Sequence, residues 1–250
     1  MNNSLQPRIR KAGRSCSSGF SLIELMVAIL ITMVVTAGAI AVFGNMRSTF
    51  SNQDRLSQLQ DSQRLVLTVL GTTVQSAGYY VAPLTKTAAT ALPRSSENSD
   101  GSVFPVGTGI VGTAGSGANL SDVLNVRYQS LAGDSLMNCQ GVANTAAGTT
   151  KTWANTFGVN ASNQLTCQVD GGTAVPMIDN VYSMTVRYLV KSDATSMYAY
   201  KTATEVASAS EWGNVYGTEV TIKFVDTTNP GAPSALATDI VQNINLMNKS

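Results

Sequence analysis

Residues 20–43 form an almost unbroken apolar run with one ionisable residue, Glu24, and the run gives way to Asn45, Met46 and Arg47. As a helix it rises about 36 Å, enough to span a bilayer. The pattern then stays helical but becomes one-sided. Leu56, Leu59, Gln63, Leu67, Leu70 and Val74 recur at spacings of three and four, while Asn52, Asp54, Arg55, Gln58, Asp61 and Ser62 supply the polar side. No proline falls between Phe20 and Tyr80, so the pattern predicts one continuous helix that ends near Ala77 and Gly78, with Gly38 and Gly44 as soft points.

Past the helix, short apolar runs alternate with clusters of Gly, Pro, Ser and Asn. Runs over 123–128, 182–190, 219–225 and 240–246 are rich in β-branched or aromatic residues and predict strands. The stretches 83–119 and 141–163 read as loops or small excursions. These elements predict an α+β fold in which an antiparallel β-sheet packs on the upper helix. The expected segments are a leader over 1–19, a transmembrane half-helix over 20–44, an amphipathic half-helix over 45–78 and a β-rich domain over 79–250.

Charge adds a direction. Arg8, Arg10, Lys11 and Arg14 precede the apolar run with no acid among them, which predicts a cytoplasmic N-terminus and a translocated C-terminal bulk. The run is too long for the core of an ordinary secretory signal, and no A-x-A pattern follows it. A plain membrane anchor does not explain Glu24. A carboxylate placed centrally in such a span costs about 2.5 to 3.5 kcal/mol, so an acid there points to function. Removing the four leader cations takes the net charge from +1 to −3, which gives no electrostatic reason to expect nucleic-acid binding.

Of the three cysteines, Cys16 lies in the basic segment, leaving Cys139 and Cys167. In an oxidising compartment these pair as a disulfide worth about 3 to 4 kcal/mol. The alternative is two separate buried thiols.

The decapeptide from Gly19 to Ala28, GFSLIELMVA, resembles the type IV prepilin motif. The resemblance implies cleavage between Gly19 and Phe20 by a membrane-embedded prepilin peptidase, followed by N-methylation of Phe20. It also implies that Glu24 pairs chiefly with the Phe20 amine of a neighbouring subunit and so sets the axial register. The spacing suits this role, because cleavage creates an α-ammonium four residues from the only acid in the run. The wider chain is similar to the PilW-type minor pilins of Gram-negative bacteria. That similarity rests on Gln53-Asp54, Leu59-Gln60, Arg64, Ala77-Gly78-Tyr79, Ser121-Asp122, Arg127-Tyr128, the cysteine pair, residues 181–188 and Trp212. The tail Asn245-Leu246-Met247-Asn248 departs from the Leu-Arg-Asn ending of that group.

Enzyme-like patterns carry less weight. Gly107, Gly109 and Gly112 spell GxGxxG, and 103–106 reads as a candidate strand before them, but the residues that follow are a poor helix. A pyrophosphate site needs a helix N-terminus there, so the glycines read as a flexible loop. The chain has no histidine, which removes Ser-His-Asp, Cys-His and histidine-metal arrangements. Asp122, Asp134, Asp170, Asp179, Asp193 and Asp226 mostly flank predicted turns, where aspartate bonds the local backbone. No EF-hand spacing occurs, which leaves only a loop Ca²⁺ site open.

The resulting expectation is a non-enzymatic minor pilin with no cofactor and no metal. Its expected partners are the prepilin peptidase, other minor and major pilins, the inner-membrane assembly platform and, before assembly, the lipid bilayer. The rival readings are a minor pseudopilin of a type II secretion system and a pilus-borne adhesin or ligand-binding module, the latter suggested by the long polar loops.

Overall fold

The structure is a computed structural model that describes residues 19–95, 98, 100–193, 196–226, 229–233 and 239–249. The side chains of residues 52, 55, 56, 59, 226, 229, 230 and 249 lie outside that description, and so do the basic leader residues and Cys16. A long helix, α1, covers Leu22–Gln75. The chain divides within this helix into two compact units that meet between Ser57 and Gln58.

The second unit holds two five-stranded antiparallel sheets where the sequence suggested one. Strands β1 (Ile110–Thr113), β2 (Val123–Leu131), β3 (Thr150–Val159), β4 (Leu165–Val169) and β5 (Val175–Ile178) form a meander in chain order. The other sheet runs β10 (Ile240–Asn245), β8 (Val215–Asp226), β6 (Val181–Lys191) and β7 (Tyr198–Thr202), with β9 (Asn229–Pro233) also on β8. Two short helices, α2 (Ala88–Ala91) and α3 (Ala203–Ser208), lie in the connections, and each is closed by a threonine capping box.

The core forms where strand alternation meets the upper helix. Inward residues Leu124, Val126 and Tyr128 of β2, Trp153 and Phe157 of β3, and Met184, Val186 and Tyr188 of β6 are buried with Val66, Leu70 and Val74 of α1 and with Ala77 just past its end. The buried helical stripe is therefore Val66, Leu70, Gly71, Thr73 and Val74, continued past the helix end by Ala77. The sequence had placed Leu67 on this stripe, yet it is only half-buried. Leu56 and Leu59 lie outside the described side chains. Leu70 and Val74 were assigned to the correct face, but the stripe is rotated toward Val66.

The sheets are joined through Ser121 and Asp122. The buried Asp122 carboxylate accepts from Val186 N at 2.7 Å and from Gly115 N at 2.9 Å, while Asp122 N donates to Met184 O at 2.8 Å. Asp134, Asp170, Asp179 and Asp193 likewise accept from nearby backbone or amide groups. The side chain of Asp226 is outside the described residues.

Strand β2 is buried on both faces because Tyr79, Ala91, Leu92, Asp100, Ser102 and Phe104 contact its outer face. Arg127 organises this cover. Its guanidinium donates to Thr108 O at 2.7 Å, Pro93 O at 2.5 Å, Leu92 O at 3.1 Å and Pro105 O at 2.8 Å. It also lies 4.7 Å from the Phe104 ring centroid. Burial lowers its pKa to about 10, and the groups it donates to are backbone carbonyls.

The glycine-rich segment is close-packed, contrary to its reading as a flexible loop. A Cβ at residue 109 would lie 1.9 Å from Gly78 N, and one at residue 112 would lie 2.1 Å from Tyr188 Oη. Both positions need glycine so that a neighbour can approach. Residues 103–105 are irregular rather than a strand, and the strand comes later, at β1.

Cys139 and Cys167 are joined by a disulfide, with a Cα–Cα distance of 6.2 Å and a sequence separation of 28. The bond ties the β2–β3 connection to β4, and Cys139 N donates to the buried Asn155 Oδ1 at 2.8 Å. Replacing both cysteines with serine should lower stability by about 3 to 4 kcal/mol. Urea unfolding followed by tryptophan fluorescence measures this, and an unchanged midpoint would show the crosslink to be energetically idle.

Candidate functional site: the N-terminal segment

Gly19, Phe20 and Ser21 precede the helix, and all three are exposed. Among the described residues, nothing lies within 4 Å of the place a Cβ would take at Gly19. Helical bonding starts where Ser21 O accepts from Glu24 N at 3.0 Å and from Leu25 N at 3.2 Å. The Gly19–Phe20 peptide bond therefore sits in open, non-helical backbone immediately before a rigid element. This is a form a protease can engage without unwinding a helix.

Glu24 is the acid of the first helical turn. The unpaired N–H groups of that turn carry partial positive charge, so a carboxylate is favoured there even before any partner arrives. Gly19, Phe20 and Glu24 thus occupy one short segment. Cys139 and Cys167 belong to the globular unit and take no part in it.

Behind this segment, Leu22–Ser51 is an apolar stretch of 30 residues, all of them exposed among the described residues. Phe20 is 83% exposed and Leu22 77%, and the exposure continues through Phe43 and Phe50. A surface of this kind has to be covered by hydrocarbon or by other apolar helices. Its three threonine hydroxyls are satisfied within the helix, since Thr32 Oγ1 donates to Ala28 O at 2.7 Å, Thr36 Oγ1 to Thr32 O at 2.6 Å and Thr49 Oγ1 to Asn45 O at 3.0 Å.

The same residues mark a feature that sequence reading passed over. Ala28, Thr32, Thr36 and Ala37, flanked by Leu25 and Met33, line a shallow groove of about 660 Å³. The signal was present as small residues four apart, at Ala28, Thr32 and Thr36, a spacing that puts them on one face.

Among the described residues, no group of three or more His, Cys, Asp or Glu side chains is placed to hold a metal ion. The pKa of the buried Tyr128 phenol is raised to about 12, chiefly by desolvation. Its hydroxyl donates to Met137 O at 2.5 Å, which ties β2 to the β2–β3 connection.

Compared with known proteins, residues 14–40 match the model of the prokaryotic N-terminal methylation motif. No curated protein matches the chain. The apolar helix and the motif make the chain a membrane-anchored precursor, and the long helix followed by antiparallel sheets agrees with a type IV pilin-like fold. The methylation motif, set at the start of an exposed apolar helix, supports a type IV prepilin-like protein.

Proposed function

We propose that the chain is a minor type IV pilin, a structural subunit of the initiation or tip-proximal complex that promotes pilus assembly. The observation that carries the reading is a single acid, Glu24, in the first turn of an uncovered apolar helix, directly after the open Gly19–Phe20 bond. The similarity to PilW-type minor pilins supports the narrower role. In this reading the prepilin peptidase cuts between Gly19 and Phe20, and Phe20 is N-methylated. Phe20 and Glu24 then meet their counterparts on neighbouring minor and major pilins.

The precursor spans the inner membrane of a Gram-negative bacterium with its N-terminus inside. The mature subunit passes through the assembly platform into a filament at the cell surface. The basic leader supports that orientation, and the disulfide suits an oxidising compartment. The small-residue groove suits close approach of another helix once lipid is left behind. Catalysis plays no part in this role.

In a deletion strain, surface pili should be lost while protein secretion continues. Loss of secretion with intact pili would instead assign the chain to a type II secretion pseudopilus.

Gly19→Val should stop maturation, because it puts a branched side chain beside the bond to be cut. Intact-mass spectrometry of the membrane fraction should show only the full precursor, whereas the wild type gives a chain beginning at methylated Phe20. A mature product of normal mass from the variant would place the cleavage elsewhere.

A further inference from the structure

The solvent face of the β10-β8-β6-β7 sheet carries tyrosines where a plain structural sheet would carry short polar residues. Along β6 the alternation is regular: Tyr188 and Val190 are buried, while Arg187 is exposed and Leu189 and Lys191 are half-buried on the opposite face. Strand register sets Lys191 beside Tyr198, and Leu189 beside both Tyr200 and Gly217. Tyr198 is 52% exposed.

These rings are fixed in place. Tyr198 and Tyr216 meet edge to face with centroids 5.4 Å apart, and Lys191 Nζ lies 5.8 and 5.9 Å from the two centroids. Tyr200 Oη donates to Asn243 Oδ1 at 3.0 Å. Since β6 and β8 lie between β7 and β10, the Tyr200 side chain must lie along the sheet rather than stand off it. The Arg187 guanidinium is 5.7 Å from its ring centroid.

We propose that this tyrosine-paved face is a binding site for a neutral glycan. A pyranose offers an apolar C–H face that stacks on an aromatic ring and a rim of hydroxyls that need hydrogen-bonding side chains. Here Tyr198 and Tyr200 supply rings, and Arg187, Glu219 and Asn243 supply donors and acceptors beside them.

The charges argue against a polyanion. Arg187 lies 3.9 Å from Glu219, Lys223 lies 3.9 Å from Asp239, and Lys191 is set against the tyrosine rings. The face therefore has little uncompensated positive charge with which to hold phosphates or sulfates.

The test uses the full mature chain in a polyoxyethylene detergent, because a maltoside head group would itself resemble the ligand. The chain is applied to an array of neutral oligosaccharides ending in glucose, galactose, mannose or N-acetylglucosamine, with heparin and an oligothymidylate alongside. Binding to at least one neutral oligosaccharide is expected, weakened about ten-fold or more in the Tyr198→Ala, Tyr200→Ala double variant and in Tyr198→Ala alone. Val241→Ala, exposed on the same sheet face, should bind as wild type does. An unchanged melting temperature in each variant shows that the fold persists. Retention of no neutral oligosaccharide, retention only of heparin or the oligonucleotide, or binding indifferent to loss of the tyrosines would overturn the proposal. Binding by the isolated chain requires no filament, so the outcome is independent of the assembly role.

Discussion

Glu24→Ala should be cleaved and methylated normally, yet it should almost vanish from filaments. The Gly19–Phe20 bond lies in open backbone ahead of the helix, so truncating a side chain within the first turn leaves the bond accessible. Assembly would differ, because in the proposed role the new Phe20 α-amine is largely protonated near neutral pH and enters an apolar environment. Leaving one member of a buried ion pair without its partner costs about 3 to 5 kcal/mol. That corresponds to roughly a hundred-fold or greater loss of incorporation. Glu24→Gln keeps the shape and a hydrogen-bonding oxygen but loses the charge, and should fall between the two. Immunoblots of sheared filaments against the membrane fraction measure the partition. Incorporation of the alanine variant at the wild-type level would remove Glu24 from assembly.

Arg127→Met should unfold the globular unit's cover or the unit as a whole. The substitution keeps much of the apolar stem but takes from the carbonyls of Pro93 and Thr108 the donor that the guanidinium supplies, whereas Leu92 O keeps Gly107 N and Pro105 O keeps Thr108 as donors. Each unpaired buried carbonyl costs about 1 to 3 kcal/mol, and partial re-solvation limits the total to roughly 3 to 5 kcal/mol. Lysine should rescue little, because a single ammonium cannot reach carbonyls arranged around a planar fork. Urea unfolding gives the total loss, and limited proteolysis over 92–108 shows whether the cover opens first. An unchanged unfolding midpoint for the methionine variant would show that these bonds contribute nothing net.

Local chemistry was the most legible part of the sequence. Gly19, Phe20 and Glu24 lie within six consecutive residues, so their relation needs no knowledge of the tertiary fold. Strands β2, β6, β8 and β10 were readable because β-branched and aromatic residues occupy their inward positions. Strand β3 was hidden inside a predicted loop. One of its inward positions is Asn155, a polar residue that is fully buried because it bonds Cys139 N. Strand β1 is four residues long and contains Gly112, whose role depends on the Tyr188 hydroxyl, which is distant in sequence. Splitting the strands into two sheets depended on the same kind of long-range pairing, and composition carries no record of it. The buried stripe of the helix was set by what packs against it, which is why its phase shifted toward Val66.

The first and last parts of the globular unit are fastened to each other. Gln242 of β10 donates to Leu67 O at 3.3 Å, Asn248 donates to Ala77 O at 3.3 Å, and Leu246 N is held by Tyr216 O at 2.9 Å. A pulling force that enters through the helix is therefore passed sideways into β10 and on to β8, loading several bonds at once in shear. A subunit under tension from a retracting or surface-bound fibre would need these contacts to slide together rather than open one after another, a geometry that resists mechanical extension.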